Sequence, residues 1–431
     1  MTEQHTPAAP TYTVRDLWRF APVRKLLICN FLLYCGVSLQ AAALFKQVFD
    51  LTHRESAIGY IGLAEFLPAM LLVLVTGAVA DRFDRRKIAI FAVGGEVLAS
   101  GALLAYAASN PTSAFPLYFV AFGYGIARAF QAPSMRAMPP MVAPEGGIPR
   151  TVALFSATWT AAIIIGPALS GFLYSIDPWV AYAGSTAFIV VAWLGLFRLE
   201  FVRTPTPPDP DERPSMRSAM EGLRFIRRTP VLLAAISLDL FAVLFGGAVA
   251  LLPAIATERL GVGDVAYGFL RSAPGIGAAA MAIALAVWPV RRHIGVVLFI
   301  AVGLFGAATI VLGLTHSYAM AFASLIVLSA ADMVSVFIRG SLVPLVTPDE
   351  KRGRVLAVEN VFIGASNELG AFESGMAAQA FGTPAAVIGG GVATLAIVGL
   401  WSWLFPSLRT IDRFEDLEID ALGDFDQSLS G

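Results

Sequence analysis

The chain has 431 residues, of which 57% are hydrophobic and only 14% are charged. Soluble domains carry about 25% charged residues, so a soluble enzyme of this composition would expose too much apolar surface. The net charge of −1 gives no basic field and argues against nucleic acid as a partner. Two cysteines, Cys29 and Cys35, share one apolar stretch, and their spacing predicts buried thiols rather than a disulfide or metal site.

Twelve mostly apolar runs follow one another along the chain, and each is long enough to cross a bilayer as a helix of about 20 residues. Their approximate bounds are 26–49, 57–80, 88–109, 115–136, 151–175, 179–198, 230–255, 264–288, 294–314, 317–340, 355–380 and 382–404. No small-residue cleavage site follows a short apolar core near the start, so we expect no removable signal peptide. The sequence predicts an all-α integral membrane protein with twelve transmembrane helices.

The basic residues predict the orientation of these spans. When the spans are threaded in order, only four of the 30 Lys and Arg residues fall on one side, namely Lys46, Arg54, Arg259 and Arg271. Basic residues concentrate on the cytoplasmic side of membrane proteins. We therefore expect both termini in the cytoplasm and a location in a cytoplasmic membrane.

Residues 199–229 interrupt the apolar pattern between the sixth and seventh spans. They open with five prolines, typical of a semi-rigid linker, and continue from Ser215 with a pattern that predicts a short amphipathic helix at the membrane interface. The predicted parts are an N-terminal arm (1–25), a six-helix bundle (26–198), the linker (199–229), a second bundle (230–404) and a tail (405–431). The acidic tail is interpreted as a solvated terminus.

The two predicted bundles repeat each other. When the sequence is shifted by 204 residues, Pro140-Met-Val-Ala-Pro144-Glu145 falls on Pro344-Leu-Val-Thr-Pro348-Asp349, Arg150 on Arg354, Gly166 on Gly370 and Gly171 on Gly375. Chance matches among glycines and prolines are the alternative, but gene duplication explains the ungapped register better. Duplicated six-helix halves are typical of transporters whose halves rock about a central site.

The loop between spans 2 and 3 reads Gly77-Ala-Val-Ala-Asp81-Arg82-Phe-Asp84-Arg85-Arg86-Lys87. It resembles the G-x-x-x-D-R-x-G-R-R signature of the major facilitator superfamily. Asp84 stands where that family usually has glycine, so we expect a tighter or differently capped turn. The resemblance implies a latch that stabilises the outward-facing state, with Gly77 allowing close helix approach and Asp81 meeting a helix N-terminus. Arg82, Arg85 and Arg86 would pair with carboxylates or lipid phosphates; a simple cytoplasmic anchor is the alternative.

Two motifs in the first bundle resemble further signatures of that superfamily. Span 5 contains Gly166-Pro167-Ala-Leu-Ser-Gly171, which is similar to the G-P-x-x-x-G motif of facilitator antiporters and implies export. From the residues alone it predicts a kinked, closely packed helix. Span 4 contains Arg128 at the position of the family's span-4 arginine, which is tied to proton coupling. An arginine at that depth is costly, unless it snorkels to the cytoplasmic surface.

Spans 10 and 11 narrow the resemblance to one branch of the superfamily. The stretches are Ala330-Ala-Asp332-Met-Val-Ser335, Pro348-Asp-Glu-Lys-Arg352-Gly-Arg354-Val355 and Gly364-Ala-Ser-Asn367-Glu368-Leu-Gly370-Ala-Phe-Glu373-Ser-Gly375. They resemble the branch that holds the enterobactin exporter and related multidrug efflux permeases, and the likeness runs from Arg15 to about Leu404. It implies the major facilitator fold of two pseudo-symmetric bundles and export of a siderophore or a drug.

Charged residues inside the spans are candidates for coupling. The mid-span acids are Glu65, Glu96, Asp239, Asp332, Glu368 and Glu373. Each costs several kcal/mol at the bilayer centre unless it is paired, hydrated or protonated. Under the repeat Asp332 coincides with Arg128, and the family fold implies that the two face one cavity, where they would pair in one state and part in another. Glu368 and Glu373 are about 140° apart around one helix, so only one of them faces the cavity.

The candidate residues for proton coupling and substrate binding are Arg128, Asp239, Asp332, Glu368, Glu373 and Asn367. Asn30, Gln40, Gln131, Trp159 and Asn360 are further polar or amphipathic groups within spans, for which helix packing is the simpler interpretation. For the charged candidates, static ion pairs or packing hydrogen bonds are the alternative. The sequence has no Walker A, HExxH or GxSxG pattern, so we expect no enzyme activity, no cofactor and no metal site.

These features predict a secondary active exporter that exchanges protons for a small amphiphilic compound by alternating access, with sodium as an alternative coupling ion. The expected partners are this substrate, protons and membrane lipids, with no nucleic acid, and we expect a monomer. Two other functions stay open. One is a lipid or lysophospholipid flippase of the same fold, and the other is a non-transporting membrane receptor or partner protein.

Overall fold

The computed structural model describes residues 12–82, 84–202 and 216–415, and does not describe the side chains of residues 73–75, 77–82 and 216–217. The helices of the first half are α1 (Val14–Arg19), α2 (Ala21–Thr52), α3 (Glu55–Arg82), α4 (Arg85–Ala108), α5 (Phe115–Arg136), α6 (Pro139–Val142), α7 (Ile148–Tyr174) and α8 (Pro178–Phe197). Those of the second half are α9 (Met216–Arg228), α10 (Pro230–Phe245), α11 (Leu252–Ala254), α12 (Asp264–Val287), α13 (Ile294–Leu314), α14 (Tyr318–Val346), α15 (Asp349–Phe381), α16 (Thr383–Leu404) and α17 (Pro406–Arg409).

Each of the twelve predicted spans coincides with a long helix or, for the seventh, with a run of helical segments, which confirms the all-α fold. Within the described residues, ten segments are long and apolar enough to cross a membrane by length and composition alone. The two remaining long helices are α5 and α15, which carry Arg128, Glu359, Glu368 and Glu373. Charged side chains inside a span lower its mean hydropathy, which helps to explain why these two helices are not among the ten segments.

The seventh span departs from the prediction of one continuous helix. After α10 ends at Phe245, a 3₁₀ turn (Gly247–Leu251), α11 and a π turn (Ile255–Arg259) complete the crossing. Gly247 lies directly against α15, because a Cβ added there would come within 2.3 Å of the Gly370 carbonyl oxygen. Such a close backbone approach needs glycine, which also favours a break in the helix.

The helices of the two halves meet mainly in two pairs, α3 with α15 and α7 with α12. We call the end of the bundle that carries α1, α9 and α17 the linker end, and the opposite end the far end. Hydrogen bonds and ion pairs join the two halves only between the middle of the bundle and the far end, among pairs in which both residues are described. The structure is therefore closed at the far end.

The linker helix α9 packs against protein along one side, and its place at the membrane interface stays a prediction. Ile226 is only 1% exposed and belongs to a core cluster that includes residues of α15. On the same side, the Glu221 carboxylate lies 2.6 Å from the Arg354 guanidinium. The apolar side of α9 thus packs against α15, because burial against protein removes it from water as membrane insertion would.

The prediction that the tail (405–431) is a solvated terminus is wrong for the beginning of the tail. Leu408 is fully buried and Ile411 is 7% exposed, both in the core of the second half. The backbone N–H groups of Ile294 and Gly295 donate to carbonyl oxygens of residues 412 and 411. The tail is held here because it satisfies N–H groups that lack partners in the first turn of α13. The acidic residues from 416 onward lie outside the described residues.

Candidate functional site

Among the described residues, the charged side chains in the middle of the bundle form two clusters, each built around one arginine. The first lies at the contact between the halves, and we call it the seam cluster: Glu65, Glu96, Arg128 and Glu368. Arg128 of α5 donates through Nη1 to the Glu368 carboxylate of α15 at 3.3 Å, and the same Nη1 lies 3.7 Å from the Glu65 carboxylate of α3. Arg128 therefore links a carboxylate of its own half to one of the other half.

The seam cluster borders open space inside the bundle. The side chain of Arg128 is 48% exposed and that of Glu368 is 22% exposed, although both belong to mid-span residues that pair with each other. Glu65 is buried behind them at 8%. An exposed guanidinium at this depth is tolerable only where it faces water or a polar partner, so Arg128 and Glu368 line a polar cleft between the halves.

Glu96 of α4 is the innermost member of the seam cluster. It is fully buried, and neither of its carboxylate oxygens has a hydrogen-bond partner among the described residues. Its carboxylate interacts electrostatically with Arg128 without reaching ion-pair distance. A buried carboxylate without partners is very costly when ionised, so this position suits a neutral, protonated carboxyl group.

The second cluster lies wholly within the second half, and we call it the inner cluster: Asp239, Asp332, Arg339 and Glu359. Arg339 of α14 is buried and lies 2.9 Å from the Asp239 carboxylate of α10 and 3.2 Å from the Glu359 carboxylate of α15. The Ser335 hydroxyl also donates to Asp239 at 3.2 Å. Arg339 thus ties three helices of this half together.

Asp239 and Asp332 line the same small cavity in the inner cluster. The cavity has a volume of about 10 Å³, which is enough for roughly one water molecule, and its other walls include Ser335 and Phe305. Because the inner cluster holds three carboxylates and one guanidinium, it would carry a net charge of −2 with every group ionised. Such a buried excess is too costly in a membrane interior, so the arrangement favours a bound proton.

The structure does not place Arg128 against Asp332 in this conformation. Arg128 pairs with Glu65 and Glu368, whereas Asp332 shares its cavity with Asp239. The exchange of partners between states stays a prediction. The sequence analysis left Glu65 out of the candidate residues and did not name Arg339 or Glu359. Both of the latter are charged residues inside predicted spans, and this feature could have identified them.

The remaining candidates on α15 lie outside both clusters. Glu373 is half-buried, and its carboxylate accepts from the neighbouring Ser374 at 3.5 Å. The Asn367 and Asn360 amides donate to carbonyl oxygens one turn back in the same helix, and both side chains are exposed. Of the two glutamates five residues apart, the structure brings Glu368 to the seam cluster.

The other polar candidates mostly pack helices together. The Asn30 amide donates to the Phe155 carbonyl oxygen at 3.1 Å and to the Thr158 hydroxyl at 2.9 Å. Gln40 accepts from Ser185 at 3.3 Å. Gln131 donates to the Tyr34 hydroxyl at 3.3 Å, and Trp159, which is 43% exposed, lies edge-on to the Tyr34 ring. Cys29 and Cys35 are free and buried, as the sequence predicts.

The loop signature is described only in part. The side chains of Gly77, Asp81 and Arg82 lie outside the described residues, so the proposed contact of Asp81 with the other half stays a prediction. Asp84 caps α4, since its carboxylate accepts from the Arg86 backbone N–H at 2.9 Å. A differently capped turn is what we predicted from Asp84 standing where the family usually has glycine. Arg86 donates to the Leu196 and Phe197 carbonyl oxygens at the end of α8, while Arg85 is partly exposed.

The glycines of the span-5 motif lie at close helix contacts. A Cβ on Gly166 would lie 2.7 Å from the Cys35 carbonyl oxygen of α2, inside the first half. A Cβ on Gly171 would lie 2.9 Å from the Gly268 Cα of α12, in the second half. Gly268 itself lies against the Pro167 carbonyl oxygen. The motif therefore packs α7 against both halves, which only residues without a side chain allow.

A buried lysine that the sequence analysis used only to predict orientation closes the far end. The Lys46 ammonium lies 2.5 Å from Asp50, one turn along α2, and 3.3 Å from Asp264 at the start of α12. Its side chain is only 8% exposed. The Tyr174 hydroxyl donates to Asp50 at 2.9 Å and lies beside the lysine. Lys46 is thus an ion-pair link between the halves.

Three comparisons relate this chain to known proteins. Residues 18–423 match the model of the family described as transmembrane secretion effector. The enterobactin exporter EntS of Shigella boydii is 22% identical over 341 residues, which cover 77% of this chain and 79% of that protein. EntS of Escherichia coli matches at the same identity and coverage.

Solved structures share the fold at low sequence identity. The nucleoside transporter NupG matches with a TM-score of 0.70 and 14% identity, covering 89% of this chain and 100% of the other. A bacterial homologue of the lysosomal transporter Spinster matches with a TM-score of 0.66 and 15% identity, covering 94% and 98%. The chain belongs to the transmembrane secretion effector family of the major facilitator superfamily, and it is a multi-pass membrane transporter rather than an enzyme.

Proposed function

We propose that this protein is a proton-coupled antiporter that exports a small amphiphilic compound, a siderophore or a drug, across the cytoplasmic membrane of a bacterium. The observation that carries this proposal is the shared cavity of Asp239 and Asp332. Two carboxylates that face one water-sized space, with Arg339 as their basic neighbour among the described residues, form a place where a proton binds and leaves.

The similarity to exporters supports the direction of transport. The relatives that match over 77% of the chain are named as exporters of enterobactin. The Gly166–Gly171 motif resembles that of facilitator antiporters, and its glycines lie at helix contacts in this structure. With both termini in the cytoplasm, as the basic residues predict, the linker end faces the cytoplasm. The far-closed structure is then inward-facing, the state in which a cytoplasmic compound enters.

In the proposed cycle, binding of the compound between the halves alternates with binding of a proton to the carboxylates of the inner cluster. Ionised Asp239 or Asp332 favours binding of the compound in the inward-facing state, and the bundle then opens at the far end. A proton from outside neutralises the carboxylate, which lowers the cost of closing the bundle around it. The proton then leaves to the cytoplasm. Each half moves largely as a rigid body, as is usual for repeated bundles.

Everted membrane vesicles with an acidic interior test this function. Siderophores, cationic drugs and lysolipids are added in turn, and proton release is followed as dequenching of an acridine dye. We expect one class to release protons, and Asp239→Asn and Asp332→Asn to abolish the release. Glu145→Gln, which changes an exposed acid, is the matched control and should release protons normally.

If both aspartate variants retain full release, these residues do not carry the proton. Release by lysolipids alone, together with movement of labelled lipid between leaflets, would favour a flippase. If vesicles that contain folded protein show no release with any compound at any sodium concentration, the proposed antiport is wrong.

A further inference from the structure

The linker helix α9 has an arginine-rich face that the described part of the protein leaves uncovered. The opposite side of the helix is fixed, because Ile226 is 1% exposed and a Cβ on Gly222 would lie 2.7 Å from the Arg354 carbonyl oxygen of α15. Docking on α15 therefore decides which side chains of α9 point away from the protein. They share one helix face and are all exposed: Met220, Arg224, Arg227 and Arg228.

Lys351 of α15 extends this face into a wider basic surface. Its ammonium lies 5.1 Å from the centre of the Phe225 ring of α9, so it borders the linker helix. We call the four cations the basic surface: Arg224, Arg227, Arg228 and Lys351. None of them forms an ion pair with a described residue. Glu350 is the exposed acid beside Lys351, so the surface keeps an excess of positive charge.

The basic surface lies next to the start of a membrane span. Thr229 alone separates α9 from α10, and Pro230–Arg259 is one of the segments that are long and apolar enough to cross a membrane. Arg227 and Arg228 are thus within three residues of the first residue of that segment. Residues that flank a span lie at the level of the lipid headgroups. Headgroups are therefore the charged groups that this surface meets first.

The first half carries a comparable helix at the equivalent place. A single residue separates α1 from α2, and α1 is held by Arg150, the repeat equivalent of Arg354. The outward side of α1 carries Trp18, which is 47% exposed, between the exposed Arg15 and Arg19. Tryptophan close to basic residues is typical of segments at the membrane–water interface. The helix that precedes each half thus has the composition of a membrane-surface segment.

We propose that the basic surface binds the headgroups of anionic phospholipids, which hold α9 between the membrane surface and α15. Guanidinium groups pair well with phosphate, and each basic residue near an anionic membrane strengthens binding by about fivefold. A zwitterionic headgroup also carries a phosphate, but its own ammonium group cancels the charge. The surface therefore prefers anionic lipids. None of its residues belongs to the seam cluster or the inner cluster.

Quenching of a fluorophore on α9 tests which lipid lies beside it. Met220→Cys is labelled with bimane in a background that carries Cys29→Ala and Cys35→Ala. The protein is placed in nanodiscs of equal parts phosphatidylglycerol and phosphatidylcholine. Two preparations differ only in which lipid carries a nitroxide near the headgroup end of its acyl chain. We expect the phosphatidylglycerol nitroxide to quench about fivefold more strongly or better, and the difference to shrink as salt screens the charges.

Neutralising two arginines of α9 should remove most of this preference. In Arg224→Gln with Arg228→Gln, we expect the two lipids to quench the label almost equally. Arg291→Gln with Arg292→Gln is the matched control, because it removes two exposed arginines at the same end of the bundle, from the loop between α12 and α13. The control should keep the preference. All four side chains are exposed, so both variants should melt with the unmodified protein.

Equal quenching by the two lipids in the unmodified protein would overturn the proposal, and so would an α9 variant that keeps the preference. Quenching by neither lipid would show that α9 lies in water away from the membrane, which also contradicts it. Inorganic phosphate at constant ionic strength provides a further arm. If phosphate abolishes the preference, the surface binds free anions and the proposal is wrong. Because no transported compound is added, these results do not depend on the proposed antiport.

Discussion

Gly171 and Gly375, which are 204 residues apart in sequence, occupy equivalent places at the two crossings between the halves. A Cβ on Gly171 would lie 2.9 Å from the Gly268 Cα, and a Cβ on Gly375 would lie 3.0 Å from the Gly59 Cα. Gly59 and Gly268 are each the fifth residue of their helices, α3 and α12. The sequence repeat is thus also a repeat of contacts, and both crossings help to close the far end.

Gly171→Ala should shift the protein away from the far-closed state. The added methyl group would meet the Asp264 carbonyl oxygen at 2.6 Å, and overpacking of this kind costs roughly 1–3 kcal/mol. We expect the ratio of closed to open molecules, measured as spin-label distances across the far end, to fall about five- to 150-fold, and transport to slow. Gly101→Ala is the matched control, because a Cβ there meets nothing within 4 Å. An unchanged distance distribution in Gly171→Ala would show that α7 and α12 have room to relax.

Lys46→Met should loosen the far end without unfolding the protein. The change removes the counter-ion that Asp50 and Asp264 share. Breaking a fully buried ion pair costs about 3–5 kcal/mol. We expect a smaller cost here because both acids are partly exposed. We expect a longer far-end distance in spin-label measurements. Lys25→Met removes an exposed pair with Glu200 inside the first half and should leave that distance unchanged. A closed far end in Lys46→Met would show that helix packing alone holds the halves together.

Arg339→Met should lower the thermal stability of the purified protein. The change leaves Asp239 and Glu359 buried without a positive partner, for a loss of about 3–5 kcal/mol if both stay ionised. Proton uptake by the aspartate would reduce the loss, so we expect the variant to melt closer to the unmodified protein at low pH. Adding Asp239→Asn should restore part of the stability at neutral pH.

The matched control for this prediction is Arg354→Met, which removes a pair with Glu221 that is more than one-third exposed on both sides. Such pairs contribute about 0–1 kcal/mol. If Arg354→Met destabilises the protein as much as Arg339→Met does, burial of charge is not what makes the inner cluster important.

Sequence reasoning predicted the features of this fold that depend on local pattern. Span positions follow from runs of apolar residues, and the division into halves follows from the proline-rich linker. Arg150 and Arg354, matched by the repeat, each hold the short helical region that precedes their half, through the Tyr12 carbonyl oxygen and the Glu221 carboxylate. The sequence repeat and the structure agree here because each arginine contacts a segment next to its own helix.

The sequence could not predict which charged residues pair with each other. Arg128 and Glu368 are separated by 240 positions, and the pattern within α5 or α15 does not say which faces meet. The repeat suggested Asp332 as the partner of Arg128, because it matches equivalent positions rather than neighbouring ones. The break at Gly246–Gly247 and the docking of Leu408 likewise depend on α15 and α13, which lie far along the chain.

The sequence by itself determined that this protein is an all-α, multi-pass membrane protein, and it predicted twelve spans arranged in two related halves. Hydrophobic length and repeat register decide those features, and both are local or periodic properties of the chain. Only the tertiary structure decided that the acids divide between a cluster inside one half and a cluster shared by both. That division follows from which helix faces meet, and electrostatic energy depends on distances that close packing sets.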